Sequence, residues 1–135
     1  MSKFLKRIQK VVKKDVSNCI VVGNDIPCLE EILENFKTVF YVHWNPSLPK
    51  SKKIIPIQEI SFLQNLQDAD VIFINQRFDE NVLQFLVPLS RHSAPAIFLG
   101  TNVVLSTEYI SFFNRIRYEM IVILDQYQVW KIIRK

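Results

Sequence analysis

Three short runs constrain this chain more than any other feature: Cys19-Ile20-Val21-Val22-Gly23, Val71-Ile72-Phe73-Ile74-Asn75 and Ala96-Ile97-Phe98-Leu99-Gly100. Each is apolar at consecutive positions rather than alternate ones, so neither side of the strand it forms can face water. Strands of that kind occur in parallel sheets with helices on both faces. Stripes at helical spacing follow the runs: Leu29, Ile32, Leu33 and Phe36 after the first, Val82, Leu83, Leu86 and Leu89 after the second, and Tyr109, Phe112, Phe113 and Ile116 after the third. Strand and helix alternate, which predicts a three-layer α/β/α sandwich around a mostly parallel sheet.

The remaining elements fit that frame. Thr38 to His43 reads as a second strand, broken by Asn45-Pro46-Ser47-Leu48-Pro49. Lys53 to Ile57 reads as a short third strand, and Pro56 within it cannot donate to a ladder, which predicts an edge. A short helix is expected between Ile60 and Leu66. The turn after the first strand, Gly23-Asn24-Asp25-Ile26-Pro27, offers Asp25 as a helix N-cap and Pro27 for the first helical turn. The end of the chain differs in kind. Met120 to Leu124 and Val129 to Ile133 are separated only by Asp125-Gln126-Tyr127-Gln128, too short for a parallel crossover, so an antiparallel hairpin closes the sheet. The expected whole is a single Rossmann-like domain over residues 1–135, with 1–15 as an amphipathic helix carrying Phe4, Leu5, Ile8, Val11 and Val12 on one side.

Charge is concentrated in that helix. Residues 1–14 hold Lys3, Lys6, Arg7, Lys10, Lys13 and Lys14 and no acid, while eleven bases meet thirteen acids in the rest. The net charge of +4 therefore describes one segment, and these six cations are the candidate contact for a nucleic acid, a membrane surface or another polyanion. The first reading of the helix is nonetheless structural, laid across the edge of the domain with its lysines solvated. Hydrophobic residues make up 49 % of the chain, which excludes disorder. No apolar run is long enough to span a bilayer, and the start lacks the apolar core of a secretory signal. Cys19 and Cys28 form no disulfide framework, pointing to a reducing, cytoplasmic setting. Neither they nor His43 and His92 have metal-ligand spacing, so no metal is expected. Cys28 with His92 forms no local nucleophile motif, and Asp68 and Asp70 at a strand start read as turn acids.

The Asp70-to-Asn75 strand, the leading helix and the closing Val129-Trp130-Lys131-Ile132-Ile133-Arg134-Lys135 resemble class I S-adenosylmethionine-dependent methyltransferases. That resemblance implies S-adenosylmethionine as cofactor, held by Gly23, Asn24, Asp25, His43, Trp44 and Asn75 at the carboxyl ends of the strands. The stretch from Asp68 to Asn81 is also similar to the nucleotide-binding domains that regulate potassium channels and transporters. Both families have a glycine-rich first turn, and here only Gly23 remains of it. His43 stands where the family places a ribose-binding acid, and a neutral side chain cannot make the bidentate contact of a carboxylate. Asn75-Gln76-Arg77-Phe78 keeps the asparagine and the aromatic of an amino-methylating motif but neither proline. These departures give the expectation of a non-catalytic methyltransferase-like domain, without cofactor, serving as a binding or assembly module for a protein partner or a second copy. The alternatives are a small methyltransferase with an atypical cofactor loop and a nucleotide-sensing regulatory domain.

Overall fold

In the computed structural model, residues 3–13, 15–42, 54–57, 70–80, 82–83, 96–103 and 106–132 are described. The expected alternation is present. Helix α1 (Lys3–Val12) precedes β1 (Asn18–Gly23), α2 (Leu29–Asn35), β2 (Thr38–Val42), β3 (Ile54–Ile57), β4 (Val71–Asn75) and β5 (Ala96–Gly100). Helix α3 (Thr107–Arg115) then leads into β6 (Tyr118–Leu124) and β7 (Tyr127–Ile132). The seven strands form one sheet in the order β3-β2-β1-β4-β5-β7-β6. The first five are parallel, and β7 enters antiparallel between β5 and β6. Pro56 does lie on an edge strand, opposite Tyr41. The hairpin is tighter than its sequence suggested: Leu124 pairs with Tyr127, leaving only Asp125 and Gln126 in the turn.

Consecutive apolar residues in the central strands divide between two cores, as the period of two requires. Ile20, Val22, Ile72, Ile74, Ile97 and Leu99 point to one side, where α3 lays Tyr109, Phe112 and Phe113 against them and Trp130 of β7 completes the layer. Cys19, Val21, Phe73 and Phe98 point to the other, beneath Phe4, Leu5, Ile8 and Val12 of α1 and Ile32 of α2. On that second side Phe73 meets Phe36, Phe98 and Tyr127 at ring-centroid distances of 5.8, 5.3 and 5.3 Å. The N-terminal helix is thus built into the core rather than laid along the sheet edge. Arg7 bridges to Asp125 in the hairpin turn at 2.9 Å, and Lys131 donates to the Val11 carbonyl at 3.1 Å.

Asp70 has a structural duty. Its Oδ2 accepts from the Ser17 amide at 2.9 Å and from the Asn18 amide at 3.3 Å, joining the start of β4 to the start of β1. Replacing it leaves these amides without their carboxylate, at about 1–3 kcal/mol. Asp70→Ala is expected to lower the urea midpoint accordingly, with the denaturant slope unchanged.

Candidate functional site

In an open α/β sheet, ligands sit outside the carboxyl ends of the strands where the connections diverge to opposite sides. Here that point lies between β1 and β4, whose ends Gly23 and Asn75 are register partners. Asn75 organises the crevice. Its Nδ2 donates to the carbonyls of Asn24 and Asp25 at 2.8 and 2.9 Å, which fixes the amide orientation, since the reverse would set three oxygens together. Its Oδ1 is buried against Gly100, with no hydrogen-bond partner among the described residues.

Both glycines of the chain stand against this one residue. A Cβ at Gly23 would lie 2.4 Å from the Asn75 carbonyl oxygen, and its φ of +106° is itself closed to L side chains. A Cβ at Gly100 would lie 2.3 Å from Asn75 Oδ1. The glycine of the first turn is thus demanded by the neighbouring strand, before any ligand is considered.

Tyrosine hydroxyls hold the other carbonyls around the crevice. Tyr41 Oη donates to the Gly23 carbonyl at 3.0 Å, Tyr127 Oη to that of Pro27 at 2.5 Å, and Tyr109 Oη to that of Gln76 at 2.5 Å. Burial raises the pKa of all three, with the Asp79 charge adding to the effect at Tyr109 and the Asp25 charge at Tyr41. The β1 loop is therefore held in one shape by side chains from β2, β4 and β7. Sequence reasoning missed these three residues; the available signal was a tyrosine in otherwise apolar strand and helix positions, where a buried hydroxyl must find an acceptor.

The loop differs from expectation at the helix start. Asp25 does not cap α2: it occupies the turn at φ +51°, exposed, and the N-cap is Cys28 at φ +59°, with no side-chain cap. The extra residues are used by the turn itself, which places Pro27 before the helix. The exposed Glu30 and Glu31 fill the first turn of α2, so negative charge still stands at its N-terminus, unfavourable to a phosphate. Burial, then Glu31 and Asp125, push the Cys28 thiol up despite Arg7, which makes it a poor nucleophile. Burial holds the Cys19 thiol well above its ordinary range.

A cleft of about 710 Å³ opens beside the crevice, between the segment after β4 and the start of α3. Among the described residues, Arg77, Asp79, Glu80 and Glu108 supply its charge, and Phe78, Leu83 and Ser106 also line it. Asp79 caps the turn that follows through its Oδ1, which accepts from the Val82 amide at 2.9 Å. Its Oδ2 accepts from Gln76 at 3.0 Å. Phe78 packs edge-on to Tyr109 at 4.8 Å. Ser106 caps α3 by accepting from the Tyr109 amide, and hydrogen bonds from its own backbone and Ser106 lower the Glu108 pKa. Ser106 and Glu108 escaped notice in the sequence, although serine before an acidic first turn is a helix-start signal.

His43, Trp44 and Lys14 lie outside the described residues, as do the helix expected at 60–66 and the later part of that expected at 82–89. Lys3, Lys6, Arg7 and Lys10 are exposed along α1, and Lys13 in the turn just after it. Among the described residues no group of His, Cys, Asp or Glu could hold a metal ion, and no helix is long and apolar enough to cross a membrane.

No protein-family model and no curated protein matches the chain. Solved structures do. One is a putative methyltransferase from Streptococcus mutans, SMU.1697c, in complex with SAH, at 9 % identity and a TM-score of 0.58, with 97 % of each chain covered. Another is the MycE methyltransferase of the mycinamycin biosynthetic pathway with Mg and SAH, at 10 % identity and a TM-score of 0.59. In complex with Mg, SAH and mycinamycin VI, MycE is similar at 9 % and 0.56. The chain spans 44–45 % of the length of MycE and nearly all of the streptococcal protein. What this protein shares with them is a distant but broad resemblance in architecture, the Rossmann-like fold of S-adenosylmethionine-dependent methyltransferases.

Proposed function

We propose that this protein is a small S-adenosylmethionine-dependent methyltransferase with an atypical cofactor loop. One observation carries the proposal: at the strand switch point the turn after Gly23 is fixed in one shape, because Asn75 at the end of β4 holds the Asn24 and Asp25 carbonyls. The solved structures of similar fold hold SAH, which supports an adenosyl amino acid as the ligand. The Asn24-Asp25 turn and Asn75 would hold S-adenosylmethionine, which supplies a methyl group on a sulfonium. The exposed carboxylates of Asp25, Glu30 and Glu31 tolerate that cation and repel a pyrophosphate. The acceptor would enter the adjoining cleft, where Asp79, Glu80 and Glu108 outnumber Arg77 and favour an amine or other cationic group.

A second reading has its own support. Because Gly23 is explained by its contact with β4, the crevice can persist in a chain that binds nothing there, retained as an assembly module. Calorimetry separates the two. The expected result is micromolar binding of S-adenosylmethionine and S-adenosylhomocysteine, and no heat with ATP or NAD. Silence with all four ligands would leave the assembly reading standing and end the methyltransferase one. Heat with ATP alone would favour the nucleotide sensor.

A further inference from the structure

Strand β6 is an edge of the sheet, and it is not defended as edges are. Met120, Ile121, Val122 and Ile123 are 45, 44, 38 and 59 % exposed, four apolar residues in succession. Natural edges carry lysine, proline or inward charge to prevent pairing with another chain. Within this strand only Glu119 is charged. The apolar strip also lies on both faces. Met120 stands opposite Trp130, whose side chain belongs to the α3 core, while Val122 stands opposite Val129, which belongs to the α1 core. A helix laid on one face would cover half of it. Only an element brought up edge-on covers both.

We infer that β6 is a self-association edge, meeting β6 of a second copy antiparallel about a twofold axis at Ile121. The flanking charges select that partner and that register. Arg117 and Asp125 bound β6 in turns four residues either side of Ile121, so the Arg117 end of each strand falls beside the Asp125 end of the other copy, where the carboxylate that already meets Arg7 through Oδ2 can take a second guanidinium. Glu119 then falls opposite Ile123, away from its own copy. Moving the axis to Val122 would set Glu119 against Asp125, a like-charge pair that disfavours the slip. The β-bulge between Met120 and Val122 lies at the centre of the contact, where Ile121 has no partner on β7 and is available to its symmetry mate. Four partly exposed side chains amount to a few hundred Å², less than the roughly 800 Å² per partner of a standard interface. The dimer is accordingly weak, with a Kd on the order of 10–100 µM.

Sedimentation velocity on the full chain, from about 1 to 300 µM, reads this directly. The expected result is a monomer–dimer equilibrium. Ile123→Lys should raise the Kd at least tenfold without lowering Tm, because that side chain is already the most exposed of the four. Arg117→Asp should raise it about fivefold, and less so at high salt. The register has a separate measure, made in a Cys28→Ser background. Ile121→Cys should oxidise to a covalent dimer, since the residue on the axis meets itself within disulfide reach, whereas Ile123→Cys should not. A monomer throughout the range overturns the inference, as does a dimer indifferent to Ile123→Lys. Equal cross-linking of the two cysteine variants overturns the register.

Discussion

Gly23→Ala is expected to destabilise the protein by about 3–5 kcal/mol, and truncating Asn75 is expected to recover none of it. The estimate combines a strained backbone, at φ +106°, with a Cβ driven to 2.4 Å from the carbonyl oxygen of β4. That oxygen belongs to the main chain and stays wherever β4 stays. Gly100→Ala should cost about 2–4 kcal/mol for a different reason. Its Cβ meets Asn75 Oδ1, so the side chain must leave, and its bonds to the Asn24 and Asp25 carbonyls leave with it. In an Asn75→Ala background the nearest side-chain atom is the retained Cβ at 3.6 Å, an ordinary contact. There Gly100→Ala should be neutral within about 0.5 kcal/mol, while Gly23→Ala keeps its full cost. Urea unfolding of the five variants, three single and two double, compared with the parent, measures both couplings. Should Gly23→Ala fold with parental stability and lose only its heat with S-adenosylmethionine, the glycine serves the ligand instead of the strand.

Asn75 also shows how far the sequence can be read. The strand that bears it was legible, because four consecutive apolar residues leave a strand no choice but burial on both faces. So was the hairpin, because the few residues between its strands admit no crossover. The site was legible only as a place. Gly23, Asn24, Asp25 and Asn75 do come together, since strand ends follow from topology. What Gly23 is for did not follow, because a glycine demanded by a neighbouring strand and one demanded by a ligand have the same letter. The helix boundary after it was misjudged because Asp25 and Cys28 both adopt positive φ, which nothing in Asn-Asp-Ile-Pro-Cys announces. The run from Met120 to Ile123 carried the opposite lesson. Apolar composition resembling that of the buried strands belongs here to an exposed edge, and only sheet order distinguishes them.

Alkaline conditions should unfold this protein steeply, and the same titration should dissolve the crevice. Tyr118 is pushed up to about 12 by burial, and Tyr109 and Tyr127 are raised further. An unfolded tyrosine ionises near pH 10. Above that value the unfolded chain sheds protons that the folded chain still holds, so stability falls as pH rises, by about 1.4 kcal/mol per unit for each tyrosine. The contribution is intact below pH 10 and disappears as pH climbs from there through the folded pKa values. These three tyrosines together should remove about 4 kcal/mol between pH 9 and 11, to which Tyr41, also raised by burial, adds, a large share of the roughly 5–15 kcal/mol that a domain possesses. Tyr109 and Tyr127 are also the donors that hold the Gln76 and Pro27 carbonyls, so their ionisation removes two of the bonds that shape the site. Tyr118, at the start of β6, lies at the opposite end of the sheet from the crevice. Tyr118→Phe should therefore flatten the urea-midpoint slope by about a quarter to a third and leave ligand binding below pH 10 intact. Tyr127→Phe should flatten it equally and, by stranding the Pro27 carbonyl, weaken both stability and binding at pH 8. Tyrosinate absorbance gives the independent check: a folded protein whose tyrosines all ionise near pH 10 would contradict this account.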